Sequence, residues 1–178
     1  MKILVACEVS GRVRDAFLRQ GQDAVSCDLL PSWLPGPHLL GDVRAYLKEK
    51  WDLMIGFPPC TFLSVSGARW WAQRRAEQEA AIGFFLELWN APIEKVALEN
   101  PIGIMSTVFR KPDQIIEPFH FGVPMSKATC LWLRGLPKLA PTHVVRPEAS
   151  YAHTVVRSAR LRSATFPEIA EQMAIQWG

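Results

Sequence analysis

Apolar and polar positions fall into blocks that read alternately as strands and helices. Residues 2–7 (KILVAC) form a short apolar run closed by Glu-Val-Ser-Gly, and 12–20 carry Val13, Ala16 and Phe17 at helical spacing before Gly21. That pattern predicts strand, turn, helix and glycine stop. Residues 23–27 predict a second strand ending at Asp28, and the proline-rich stretch 31–37 a surface loop. A third unit opens at Gly41-Asp42. After a short helix, 51–56 (WDLMIG) reads as a buried strand that stops against Pro58-Pro59, because successive prolines remove two ladder donors. A long helix is expected over 73–90, where Ala76, Ala80, Phe84 and Leu88 recur every four residues. The strand at 94–98 then leads into Glu99-Asn100-Pro101, and another strand is expected at 130–133.

This order predicts an α/β fold with a mostly parallel sheet and helices on both faces, in which ligands bind beyond the carboxyl ends of the strands. The polar clusters fall at such ends: Glu8 to Gly11, Asp28, Asp42, Pro58 to Thr61, and Glu99 to Pro101. With 178 residues the chain suits a single domain spanning 1–178, and 49% apolar with 21% charged residues is an ordinary globular composition. Fourteen prolines and seven tryptophans argue against a helical bundle. The four cysteines, Cys7, Cys27, Cys60 and Cys130, lack metal-ligand spacing, and the four histidines are scattered, so no metal site is expected. No leader-like segment and no span of about 20 apolar residues is visible, which suggests a cytoplasmic, reduced protein without a membrane segment.

The segment Asp52 to Gly67 carries the most specific chemistry. It resembles the nucleophile loop of the cytosine-5 DNA methyltransferases, an apolar strand followed by Gly-x-Pro-Cys and Ser-x-x-Gly; Gly56, Pro58, Pro59, Cys60, Ser64 and Gly67 carry the match. The chemistry has a reason: carbon 5 of cytosine is a poor nucleophile until a group adds to carbon 6, and a thiolate adds and leaves well. By residue type alone, Cys60 could also be a structural cysteine behind a strand. Ala97-Leu98-Glu99-Asn100-Pro101 is similar to the family's Glu-Asn motif, whose glutamate bonds ring nitrogen 3 and the exocyclic amine and acts as an acid. Read in isolation, Glu99 could be a loop or capping acid.

The resemblance extends over nearly the whole chain and implies a Rossmann-like, S-adenosylmethionine-dependent fold. It assigns the cofactor to Glu8, Ser10 and Gly11 of the first turn, to Asp28 (ribose), Asp42 of Gly41-Asp42-Val43 (adenine amine) and Pro58. Asp28 and Asp42 could alternatively be helix N-caps. Phe121 to Thr129 aligns with the family's Gly-x-Pro-Gln-x-Arg-x-Arg segment, but Met125, Lys127 and Thr129 replace the glutamine and both arginines, so Lys127 alone keeps a cation. Residues 164–173 resemble the closing helix. The catalytic set implied is Cys60, Glu99 and Lys127; Pro59, Ser64, Asn100, Arg69, Arg157 and Arg160 are implied on the substrate side.

The chain departs from the family in having no visible target-recognition domain. In its place lies an irregular basic segment, 134–164, with six basic residues against one acid, on a chain whose total charge is +3. Such a segment would suit phosphate contacts with DNA, although a solvated loop face would have the same composition. Loose sequence preference, or a protein partner that supplies specificity, is therefore expected. Arg69, Arg74 and Arg75 with Trp70 and Trp71 could close over a flipped nucleotide, or Trp70 could anchor the following helix. Two rival readings remain at this point. The same thiolate chemistry could act on a free pyrimidine nucleotide, or the chain could be a catalytically silent nucleic-acid or nucleotide-binding module. Amino methylation lacks its Asn/Asp-Pro-Pro-aromatic motif here.

Overall fold

The computed structural model describes residues 1–150 and 163–178, with 69–72 described by backbone alone. Its frame is a seven-stranded sheet built from β1 (Lys2–Ala6), β2 (Asp23–Asp28), β3 (His38–Leu40), β4 (Leu53–Gly56), β5 (Lys95–Pro101), β6 (Gln114–Ile116) and, beyond the two-residue β7 (Met125–Ser126), β8 (Thr129–Arg134). The spatial order is β3-β2-β1-β4-β5-β8-β6. The first five strands are parallel, and β8 runs antiparallel to both β5 and β6. A second, two-stranded sheet pairs β7 with β9 (Ala149–Ser150). The order reverses between β1 and β4, so the crevice expected for ligands opens at their carboxyl ends.

Alternation along the strands supplies two cores. Ile3, Val5, Leu53, Ile55, Ala97, Leu131 and Leu133 face α1 (Arg12–Arg19) and the last helix, while Leu4, Met54, Val96, Leu98 and Trp132 face the side of α2 (Arg75–Trp89). After the short α3 (Met105–Val108), the chain ends in α4 (Pro167–Trp177), whose Ile169, Ala170, Met173 and Trp177 are buried against the first of these faces. The helices thus cover both sides of the sheet.

The structure adjusts several expectations. β5 does not stop before the acidic motif: Glu99, Asn100 and Pro101 remain in the strand, opposite Leu131, Cys130 and Thr129 of β8. The helix expected over 73–90 is α2, preceded by a 3-10 segment (Val65–Gln73), and the closing helix lies at 167–177 rather than 164–173. The edge strands β3 and β6 were not expected; at three residues each they are too short for a period.

The 31–37 loop is held by one buried charge. Arg14 of α1 is fully buried, and its guanidinium donates to Asp15 Oδ1 (2.7 Å), Ser26 Oγ (3.2 Å), Ser32 Oγ (3.1 Å) and the carbonyls of Leu34 and Pro35 (3.2 and 3.1 Å). Replacing Arg14 with methionine removes this donor from all of them, although Leu34 O keeps a second one, Ser32 Oγ at 2.8 Å. The expected cost is about 3 kcal/mol, or roughly 6–12 °C in melting temperature for a domain of this size, readable by thermal unfolding.

Candidate active site

The turn after β1 illustrates how the strand ends are shaped. Cys7 adopts φ 58°, a left-handed conformation rare for a residue with a Cβ, and Gly11 adopts φ 75°. A side chain at Gly11 would also meet the Arg14 guanidinium at 2.6 Å. The Glu8 carboxylate is buried and accepts from Val13 N (2.8 Å), Arg14 N (3.3 Å) and Ser10 Oγ (2.8 Å). Both its oxygens therefore serve the start of α1, where unpaired amides favour an anion. Ser10 is buried in the same cluster, its Oγ also accepting from Arg12 N at 3.2 Å. The Glu8 and Ser10 side chains of this turn are thus engaged inward.

Asp28 and Asp42 stand at the neighbouring ends. Asp28 Oδ1 accepts from Leu30 N at 3.0 Å. Asp42 caps the 3-10 turn Val43–Ala45 and pairs with Arg44, whose backbone N–H and guanidinium hold its carboxyl below the usual range. Burial pushes the Cys7 thiol up to about 12, and the charges of Asp28 and Asp42 add to the rise, so both acids act on the end of β1.

The loops after β4 and β5 are tied together. Pro58 and Pro59 have no N–H, so the loop cannot brace itself there. Instead Asn100 Nδ2 donates to Pro58 O at 2.8 Å. Because a carbonyl only accepts, the amide orientation is fixed, and Asn100 Oδ1, buried with the rest of a residue 1% exposed, has no hydrogen-bond partner among the described residues. Further along, Val65 N donates to Ile102 O (3.1 Å) and Ile104 N to Leu63 O (2.8 Å), a short antiparallel bridge between Ser64 and Gly103. Gly103 was not singled out from the sequence. Any side chain there would overlap Leu63 O, a requirement that only the folded loop pair reveals.

Held this way, Cys60 is exposed, whereas Cys27 and Cys130 are buried and Cys7 is half-buried. Leu63 N and Ser64 N both donate to Cys60 O at 3.0 Å, closing the turn behind it. Although Cys60 is exposed, partial desolvation by the surrounding loops raises its thiol, and the nearby Glu99 carboxylate raises it further, while its own amide and the Lys127 ammonium oppose the rise. Glu99, half-buried, is raised by desolvation and lowered by Lys127. The charges of Glu99 and Lys127 thus both bear on the Cys60 thiol. Glu99, Lys127 and Thr129 also line a small cleft of about 20 Å³ closed on its apolar side by Ile116, Phe166 and Met173. Lys127 Nζ lies 5.8 Å from the Phe166 ring centre, and its backbone N donates to Glu117 Oε2 at 2.6 Å.

Other residues named from the sequence are placed differently. Pro58 is buried, Pro59 is exposed, and Ser64 Oγ shares a hydrogen bond with Ser66 Oγ at 2.9 Å. Arg134, the first cation of the basic segment, is engaged at the end of α2, donating to the carbonyls of Trp89 (2.6 Å), Ala91 (2.9 Å) and Ile93 (2.6 Å). It is therefore not free for phosphate. The Arg69 side chain, Arg157 and Arg160 lie outside the described residues. No cluster of three His, Cys, Asp or Glu side chains able to hold a metal occurs among the described residues, and none of their helices is long and apolar enough to cross a membrane.

No protein-family model matches the chain, and no curated protein matches it by sequence. Among solved structures it is similar to an E. coli prophage-encoded protein described as a DNA modification methyltransferase, at TM-score 0.52 and 15% identity over 82% of this chain and 52% of that one. Lower scores relate it to Dnmt2 methyltransferase of S. pombe (TM-score 0.47, 14% identity, 85% of this chain and 52% of that one) and to a triply substituted DNMT2 of Spodoptera frugiperda (0.49, 15%, 82% and 54%). The chain spans about half the length of these structures. The first likeness identifies the Rossmann-like methyltransferase fold.

Two outcomes follow from this geometry. The alkylation rate of Cys60 by iodoacetamide should rise with pH to a midpoint above the roughly 8.5 of a free thiol. Glu99→Gln removes a negative neighbour and should move that midpoint down, whereas Lys127→Met should move it up. Separately, Asn100→Ala leaves Pro58 O unpaired and should cost about 1–3 kcal/mol in denaturant unfolding.

Proposed function

We propose that the chain methylates carbon 5 of cytosine in DNA through a covalent adduct on Cys60. The observation that carries this reading is the exposed Cys60 thiol on the loop after β4, beside the end of the paired strand β5 that carries Glu99, with Lys127 lining the same cleft as Glu99. The fold, and the description of its structural neighbour as a DNA modification methyltransferase, support the same direction.

The ends of β1, β2 and β3 fit S-adenosylmethionine. Asp28 Oδ2 accepts nothing from the described residues and suits a ribose hydroxyl, Asp42 is an exposed acceptor for an amino group, and the turn from Cys7 to Gly11 offers backbone where Glu8 and Ser10 turn inward. Pro58 would flank the methyl-bearing end. The chemistry that this group supplies when bound is an electrophilic methyl for carbon 5.

The chain's own residues do the rest. The Cys60 thiol gives its proton to solvent, its Sγ forms a bond to carbon 6, and the displaced electron pair moves through the ring towards nitrogen 3. Glu99, kept protonated to higher pH by its burial, donates its proton there, which makes the addition favourable. The ring then carries its electron density on carbon 5. When the proton on carbon 5 is later lost to solvent, the double bond re-forms, the bond from Sγ to carbon 6 breaks, and Glu99 recovers its proton. Lys127 offsets the negative charge of the thiolate and steadies the base carbonyl. Pro59, Ser64 and Asn100 shape the loop around the base, and Arg69, Arg157 and Arg160 would meet the phosphates. Because Arg134 is engaged elsewhere, phosphate binding rests on fewer cations than the sequence offers. A free pyrimidine nucleotide is for that reason the second acceptor to compare.

The test is methyl transfer from labelled S-adenosylmethionine to duplex DNA, single-stranded DNA and free deoxycytidine nucleotides. Label on cytosine in DNA is expected, lost to background with Cys60→Ser and reduced roughly 10²- to 10⁴-fold in kcat with Glu99→Gln. Transfer that persists in Cys60→Ser contradicts the reading, and transfer only to free nucleotides replaces its substrate.

A further inference from the structure

Arg44 was not singled out from the sequence, yet it is the side chain that fixes Asp42. Asp42 Oδ1 accepts from Arg44 N at 3.0 Å and Oδ2 from Arg44 Nη1 at 3.0 Å. The guanidinium is itself held from α2: Nε donates to Glu87 Oε2 at 2.7 Å, and the group lies over the Phe84 ring, 4.6 Å from its centre. One planar cation therefore connects the end of β3 to α2. A carboxylate has about four acceptor directions, and these two bonds use two of them, so Asp42 is fixed in orientation yet still open to a donor. We propose that Arg44 is a positioning residue that presents the Asp42 carboxylate, in one orientation, to the amino group of a bound adenine ring. This inference rests on the cofactor reading above.

Two features favour positioning over a role in folding. The Asp42, Arg44 and Glu87 side chains are 51%, 49% and 45% exposed, and ion pairs so exposed contribute about 0–1 kcal/mol to stability. An acceptor fixed before binding, however, removes an ordering cost from each association event. Arginine is needed because its rigid fork can meet Asp42 and Glu87 together while its face rests on Phe84, which a lysine ammonium cannot reproduce.

The experiment is calorimetric titration of the full chain with S-adenosylhomocysteine, for the native protein, Asp42→Asn, Arg44→Gln, Arg44→Lys and the Asp42→Asn/Arg44→Gln double variant, with melting temperatures alongside. Arg44→Gln is expected to weaken binding by about fivefold to tenfold, as a preorganised charged acceptor would, with little change in melting temperature. Arg44→Lys should recover only part of the loss, and the double variant should bind no more weakly than Asp42→Asn alone. Native affinity in Arg44→Gln beside a weakened Asp42→Asn overturns the positioning role and leaves the cofactor reading intact. So does a double variant whose losses multiply, since Arg44 would then act independently of Asp42. If the native chain itself does not bind the probe, the cofactor reading fails and this inference fails with it.

Discussion

The amide of Asn100 is what ties the loop after β4 to the neighbouring strand. Two prolines precede Cys60, and a Pro-Pro step has no N–H with which to brace its own loop. The bond from Asn100 Nδ2 to Pro58 O, with the bridge between Ser64 and Gly103, supplies that bracing from the neighbouring strand. Cys60 can then be exposed without being loose. The same arrangement requires glycine at position 103 and leaves the buried Asn100 Oδ1 unpartnered among the described residues. An unpaired buried acceptor costs stability in the free protein, and native structures retain few of them.

Electrostatics act on this frame. Desolvation disfavours the charged forms of both Cys60 and Glu99, and the Glu99 carboxylate further disfavours the Cys60 thiolate, so the cation of Lys127 matters to both. A thiol that ionises reluctantly is protected from adventitious oxidation, and a carboxyl that keeps its proton can serve as an acid. The other three thiols are raised chiefly by desolvation: Cys7 to about 12, and Cys27 and Cys130 to about 11.

Much of the sheet was legible in the sequence because its central strands are buried on both faces and appear as continuous apolar runs, such as KILVA and LMIG. The placing of polar clusters at strand ends followed from that order. What was not legible depends on contacts distant in sequence. Glu99 and Asn100 stay within β5 because antiparallel β8 runs alongside, and no local pattern announces that partner. Arg14, Arg44 and Arg134 look like solvated cations in a sequence, yet each is bound by carbonyls, hydroxyls or carboxylates of other elements. Gly103 is one glycine among eleven until Leu63 is placed against it.

The central claim, that Cys60 attacks a cytosine ring, is tested most directly by covalent trapping. Incubated with S-adenosylmethionine and duplex DNA whose cytosines carry fluorine at carbon 5, the adduct cannot be released, because carbon 5 then has no proton to lose. The account predicts a denaturation-resistant complex whose mass increase maps to Cys60. A chain that transfers methyl groups to cytosine yet forms no such adduct, or forms it on another residue, would contradict it.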